Sequence, residues 1–144
     1  GEGINPYVLT FRANALTKLN RYAESIDDYS AAEALFLRQR DAQRALDARA
    51  NRALALYETG DQKQAVKIMR EIVRRSPGYA DMHVALAAHA WSYGDRDEAE
   101  TQWEFVCNNI SVGCKKYKDT DWVRTVRRWP PSLVSRLTSF LGKT

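Results

Sequence analysis

Cysteine and histidine are scarce in this chain, since its 144 residues include two of each. That is too few for a four-ligand structural metal site built from these residue types. No run approaches the roughly 18 apolar residues of a membrane-spanning helix. Seven Gly and four Pro, set against many Ala, Leu and Arg, favour helices over strands. The sequence therefore predicts an all-α protein.

Sequence signals for catalysis are also missing. No glycine-rich phosphate loop, nucleophile elbow or Cys-His pair of recognisable context occurs. His83 and His89 are six residues apart, which places them on different faces of a helix, so we interpret them as polar filler. Asp119 and Asp121 stand where a helix is expected to open and are interpreted as caps. We therefore expect no enzyme activity, no cofactor and no metal.

What the sequence does contain is an ordinary globular composition with an uneven charge. Hydrophobic residues make up 44% and charged residues 28%, and the length suits a single domain over residues 1–144. Residues 111–144 carry 8 basic and 2 acidic side chains, against 14 and 16 in residues 1–110. This basic end could face an acidic protein, an anionic lipid surface or nucleic acid.

An internal repeat is the strongest pattern. Gly60-Asp61 followed by Ala65 recurs 34 residues later as Gly94-Asp95 followed by Ala99. Apolar residues at helical spacing precede and follow each glycine. Glycine suits a left-handed helix end, and the aspartate can cap the next helix. Each copy is therefore predicted to be two helices joined by a tight turn.

These features resemble the tetratricopeptide repeat family, whose unit has 34 residues. Copies are assigned to about residues 46–79 and 80–113, with an earlier copy at about 6–39 whose turn lies at Leu19-Asn20-Arg21-Tyr22. Six extra residues separate the first two copies, and we expect a longer helix through Ala31 to Arg44 to absorb them. The resemblance implies a right-handed superhelical stack of three helix-turn-helix repeats.

The segment 114–144 is predicted to cap the open end of the stack. Helices are expected at Asp119 to Arg128 and at Pro131 to Leu141, with Trp122, Val123 and Val126 packed inward. The predicted basic outer surface consists of Arg124, Arg127, Arg128 and Trp129. The string around Arg127-Arg128-Trp129-Pro130-Pro131 resembles the ending of tetratricopeptide proteins from the chloroplast thylakoid lumen of plants and algae. That resemblance implies a lumenal location, soluble or peripheral, and association with photosynthetic complexes.

Cys107 and Cys114 form a possible disulfide. On one straight helix their Cα atoms would stand roughly 10 Å apart, so a bridge requires the helix to end between them. Asn108, Asn109 and Gly113 are plausible stop signals. Two buried free thiols are the alternative, and the lumenal resemblance, which implies an oxidising compartment, favours the bridge.

A partner-binding groove is implied by the family resemblance, since the first helix of each unit lines the concave surface. The residues carried onto that groove are Asn14, Lys18, Leu54, Tyr57, Val84 and Trp91. The alternative is that the tail helices cover Tyr57 and Trp91. The basic residues of a chaperone-type carboxylate clamp are replaced by Thr10, Asp81 and Ala85, so we expect no such clamp.

The function predicted from the sequence is a non-catalytic protein-protein interaction module. We expect an assembly factor or accessory subunit that docks on a photosynthetic membrane complex from the lumen side. Two alternatives stay open. The basic, Trp-containing tail could anchor the chain peripherally on a membrane, or the helical repeats could bind RNA. RNA binding is the less favoured alternative, because the related helical repeats that bind RNA have a unit of 35 residues and the copies here have 34.

Overall fold

The structure is a computed structural model that describes residues 4–143. Within that range the chain forms nine helices and no strand, so the predicted all-α class is confirmed. The helices are α1 (Pro6–Lys18), α2 (Tyr22–Arg38), α3 (Ala42–Glu58), α4 (Gln62–Arg75), α5 (Ala80–Ser92), α6 (Arg96–Asn109), α7 (Gly113–Tyr117), α8 (Thr120–Thr125) and α9 (Pro131–Leu141). Across the described residues, none of these helices combines the length and the apolar character that crossing a membrane requires.

The chain divides into two compact units, Gly1–Ile68 and Met69–Thr144. Unit 1 contains α1, α2 and α3, and unit 2 contains α5 to α9. Helix α4 runs through the boundary between Ile68 and Met69. The single domain and the superhelical stack of three repeats stay predictions from the sequence.

Left-handed residues mark four of the reversals between helices. Gly60 and Gly94 have φ of 99° and 79°, as the repeat pattern predicts. Asn20 has φ of 61° and lies within the first predicted turn. A fourth reversal occurs at Arg40, with φ of 60°, where the sequence analysis predicts a continuous helix.

The expectation of one long helix through Ala31 to Arg44 is therefore wrong. Helix α2 ends at Arg38, and α3 starts at Ala42 because the Asp41 carboxylate caps it by accepting a hydrogen bond of 3.1 Å from the backbone N–H of Arg44. Asp61 and Asp95 cap the helices that follow their glycines in the same way. The six extra residues are instead accommodated in α2 and α3, which have 17 residues each.

Unit 1 is built by α2 packing against both α1 and α3. Its core joins Leu9 of α1 with Phe36 and with small alanines, namely Ala32, Ala45 and Ala48, which let the helix backbones approach closely. A bidentate ion pair links α1 to α2, because Arg12 donates to both oxygens of Asp28 at 2.7 and 2.8 Å. These contacts fix α1 on the rest of unit 1.

Helix α5 is the centre of unit 2. It packs against α6 on one side and α9 on another, and its residues from Asp81 to Ala88 are all buried. Helix α9 contributes Leu133, Leu137 and Phe140, each fully buried. The prediction of a helix from Pro131 to Leu141 with an apolar stripe is confirmed in its bounds. A helix enclosed on nearly every side in this way belongs to a core.

A disulfide joins Cys107 of α6 to Cys114 of α7, and the Cα atoms of the two residues are 4.7 Å apart. Helix α6 ends at Asn109, which allows the chain to reverse and bring the two residues together. At Gly113 an added Cβ would stand 2.8 Å from Cγ1 of Val106, so the close approach of the two segments requires glycine there.

Candidate functional site

The groove residues predicted in unit 1 do not form an open strip. Leu54 and Tyr57 are both buried, so they offer no surface to a partner. Asn14 is half-buried, and its side-chain oxygen accepts a hydrogen bond of 2.6 Å from the Tyr29 hydroxyl. Lys18 is exposed at the end of α1. Of these four residues, Lys18 therefore has the most accessible side chain.

The groove residues predicted in unit 2 lie on α5, the helix against which α9 packs. Val84 is fully buried. Trp91 is half-buried: its ring packs edge-on against Phe140 with centroids 5.7 Å apart, and its indole N–H donates to the Ser139 hydroxyl at 3.3 Å. In unit 2 the chain's own tail thus occupies the surface that the resemblance assigns to a partner.

A buried carboxylate holds the tail to α5. Asp81 is 3% exposed, and its Oδ1 accepts three hydrogen bonds, from the Tyr117 hydroxyl at 2.6 Å and from Arg127 and the Trp129 indole at 3.0 Å each. Its Oδ2 is buried without a hydrogen-bond partner in the structure. This Asp81 cluster joins the start of α5 to α7 and to the segment between α8 and α9.

Burial and charge in the Asp81 cluster keep Tyr117 protonated and Arg127 positively charged. Burial raises the pKa of the Tyr117 hydroxyl, and the negative charge of Asp81 raises it further. The same carboxylate raises the pKa of Arg127 by its charge. Tyr117 therefore remains a neutral donor and Arg127 a cation, the states in which both can donate to Asp81.

The predicted basic tail surface is corrected by this cluster. Trp129 is buried, and Arg127 is ion-paired to Asp81. Arg128 is half-buried and donates to the backbone oxygen of Val126, while Arg124 is exposed and pairs with Asp121. Val126, predicted to pack inward, is half exposed. Of the four surface residues predicted, Arg124 is the one that lies fully outside.

An aromatic and cationic surface forms where α5 ends and α9 ends. We define the aromatic–cationic patch as Trp91, Tyr93, Arg96, Arg136 and Lys143. Tyr93 is 65% exposed just after α5, and Arg96 is exposed at the first position of α6. The patch combines one predicted site residue, Trp91, with four that the sequence analysis does not identify.

Cations stand over both rings of the aromatic–cationic patch. The Arg96 guanidinium lies 5.3 Å from the centroid of the Trp91 ring, and the Lys143 ammonium lies 5.9 Å from it. The Arg136 guanidinium lies 5.5 Å from the centroid of the Tyr93 ring. Cations within about 6 Å of an aromatic face are attracted by its electrons. Lys143 also pairs with Glu100 at 3.3 Å, so the patch is ordered by contacts from α6 and α9.

The two histidines have separate environments. His83 is buried, stacks on Phe105 at 4.5 Å, and has its two ring nitrogens 2.6 Å from Gln102 Oε1 and 2.7 Å from the backbone oxygen of Pro77. Burial lowers the pKa of His89, and the charge of Arg70 lowers it further. Among residues 4–143 no group of three or more His, Cys, Asp or Glu is placed to hold a metal ion.

Similarity to known proteins offers no guide to the function. Comparison with protein-family models, with curated proteins and with solved structures finds no match for this chain.

Proposed function

We propose that the chain is a non-catalytic protein-interaction module that docks on a larger assembly through the aromatic–cationic patch of unit 2. The observation that carries the proposal is the exposed Tyr93 ring beside Trp91, with arginines over both rings. Tyr, Trp and Arg are the residue types that most often dominate binding energy at protein interfaces.

The order already present in the patch supports this proposal. Trp91 is held by Phe140 and by the Ser139 hydroxyl, and the Arg96 guanidinium lies 5.3 Å from the centroid of its ring. A side chain that is fixed before binding loses less conformational entropy when a partner covers it. Tyr93 adds an amphipathic ring that can bury apolar area and keep a hydroxyl for hydrogen bonding.

The identity of the assembly is proposed from the sequence resemblance. It suggests a photosynthetic membrane complex approached from the thylakoid lumen. The Cys107–Cys114 disulfide supports an oxidising compartment, since such bridges persist there and are rare in reducing ones. We include the lumenal location in the proposal on these two grounds.

A membrane anchor is not favoured as a second function. An anchoring helix needs an apolar face free to enter the lipid interface. Of the apolar residues of α9, Leu133, Leu137 and Phe140 are buried within unit 2, and Val134 and Leu141 are half-buried. The tail as folded therefore presents no such face on α9.

Site-specific photo-crosslinking tests the proposed docking. A benzophenone amino acid replaces Tyr93 in one variant and the half-exposed Val126, which lies outside the patch in the same unit, in a control variant. Each is incubated with solubilised membrane complexes and the products are identified by mass spectrometry. We expect one defined polypeptide to be crosslinked from position 93 and not from position 126.

A second pair of variants shows whether the patch itself binds. Arg96→Ala should abolish the crosslink from position 93, while Arg124→Ala, which removes an exposed arginine elsewhere in unit 2, should leave it unchanged. Equal crosslinking from both positions, or no product from position 93, would contradict the proposal. Trp91 is avoided as a test because its contacts with α9 make its loss a folding defect as well.

A further inference from the structure

Helix α1 has two opposite apolar faces. Pro6, Leu9 and Ala13 are buried in unit 1. On the other side of the helix Val8, Phe11 and Ala15 are exposed, at spacings of three and four residues that place them on one line. Ile4 and Leu19 flank the two ends of the helix and are both more than half exposed. We call these five residues the outer stripe.

The outer stripe is an unusual surface. Phe11 is 68% and Val8 61% exposed, and together the five residues present an apolar patch on the order of 500 Å², near the upper end for a monomer. An ordinary surface helix has one apolar face and one polar face. A helix with a second apolar face is suited to packing against another helix.

We propose that the outer stripe binds a second copy of this chain, with the two α1 helices antiparallel about a two-fold axis. The order of residues along the stripe is self-complementary in that arrangement. Phe11 stands at the centre and meets Phe11 of the second copy. Val8 meets Ala15, and Ile4 meets Leu19, each pairing occurring twice as a two-fold interface requires.

Side-chain size favours this pairing, and the charges beside the stripe permit it. The small Ala15 opposite Val8 lets the helices approach closely enough for the two Phe11 rings to contact. Helix α1 carries no acidic residue, and its charged side chains are Arg12 and Lys18. Because Val8 pairs with Ala15, the two-fold axis passes between residues 11 and 12 and brings the Arg12 side chains of the two copies near each other beside the stripe, where each is neutralised by its ion pair with Asp28. Lys18 lies at the end of the stripe, away from the axis.

The area sets the strength of the association. Two stripes would bury about 1,000 Å² in total, which is at the lower limit for a specific interface. We therefore expect a weak dimer in exchange with monomer. In sedimentation equilibrium the weight-average mass should rise with concentration from 16.4 kDa toward twice that value.

Two matched double variants test both the interface and its direction. Val8→Lys with Ala15→Lys places like charges opposite each other in an antiparallel dimer, and about a 100-fold weaker association is expected. Val8→Lys with Ala15→Glu places opposite charges together, so association should weaken clearly less than in the first variant. In a parallel dimer the second variant would also be disrupted, because Lys would face Lys and Glu would face Glu.

The controls separate this proposal from the docking proposal and from misfolding. Both positions are exposed and both new residues are good helix formers, so far-UV circular dichroism should be unchanged. Leu37→Lys changes an exposed leucine outside the stripe and should leave association unaffected. A mass that stays at 16.4 kDa at all concentrations, or equal behaviour of the two double variants, would overturn the dimer; neither outcome affects the patch in unit 2.

Discussion

At the scale of single residues, Asp81 has the largest structural role that we identify. A carboxylate that is almost excluded from water requires donors, and Tyr117, Arg127 and Trp129 supply them to one oxygen. The ion pair with Arg127 is itself mostly buried. Removing the charge of one partner from such a pair leaves the other uncompensated.

Asp81→Asn should therefore destabilise the protein strongly. We expect the free energy of unfolding to fall by about 3–5 kcal/mol, because the Arg127 charge would stay buried without its counter-ion. Urea unfolding followed by circular dichroism measures this loss. The matched control is Asp121→Asn, which removes an exposed aspartate paired to Arg124 and should change stability by about 0.5 kcal/mol or less. Similar small effects in both variants would show that the Asp81 cluster contributes little.

The sequence could not reveal the Asp81 cluster. Its three donors lie 36 to 48 residues from Asp81 along the chain, and nothing near Asp81 distinguishes it from an ordinary acidic residue in the first turn of a helix. The basic tail was predicted to lie outside because charge along a sequence favours exposure. That argument fails for Arg127, whose partner is distant in the sequence.

At the scale of helices and turns, local chemistry was more informative. The glycine turns and the bounds of α9 follow from residues that are adjacent in the chain. The sequence analysis does not predict the turn at Arg40, because arginine rarely adopts positive φ. The sequence does contain a signal for this turn, because Asp41 and Ala45 repeat the spacing of Asp61 and Ala65. The Asp41 cap then fixes the start of α3.

The outer stripe of α1 also had a sequence signal. Val8, Phe11 and Ala15 are at helical spacing, but Leu9 and Ala13 of the same helix have that spacing too. Periodicity shows that a face is apolar and does not show which of two apolar faces a core covers. The packing of α1 against α2 in the structure shows which of the two faces is buried.

The disulfide is an element-scale constraint because it ties the end of α6 to α7. Replacing both cysteines by Ser should lower the free energy of unfolding by about 2.5 kcal/mol, since a short closed loop no longer restricts the unfolded chain. Urea unfolding of the wild-type protein with and without reductant provides the comparison. Reductant should shift the wild-type midpoint to that of the double-serine variant and leave the variant itself unchanged. A reductant-insensitive wild type would contradict this expectation.

At the scale of the whole molecule, the distribution of tryptophan offers a test of domain organisation. The sequence has four tryptophans, at positions 91, 103, 122 and 129, and all four belong to unit 2. Tryptophan fluorescence therefore reports on unit 2, while far-UV circular dichroism reports on helices of both units. Two probes with different coverage can detect whether a protein unfolds in one step.

We expect the two thermal transitions to coincide. Helix α4 is continuous across the boundary, so unfolding one unit would break into a helix whose other end belongs to the second unit. Leu137→Asp, which places a charge in the core of unit 2, should lower both midpoints together. A fluorescence midpoint that falls while a large part of the circular dichroism transition stays in place would contradict the single-domain prediction.

The position of α9 also affects when unit 2 can form during protein synthesis. The face of α5 that packs against α9, including the ring of Trp91, is translated about 40 residues earlier than Pro131. Until α9 has left the ribosome, that apolar face has no cover within the chain. Nascent unit 2 is for that interval a candidate client for chaperones, whereas the helices of unit 1 have all emerged by then.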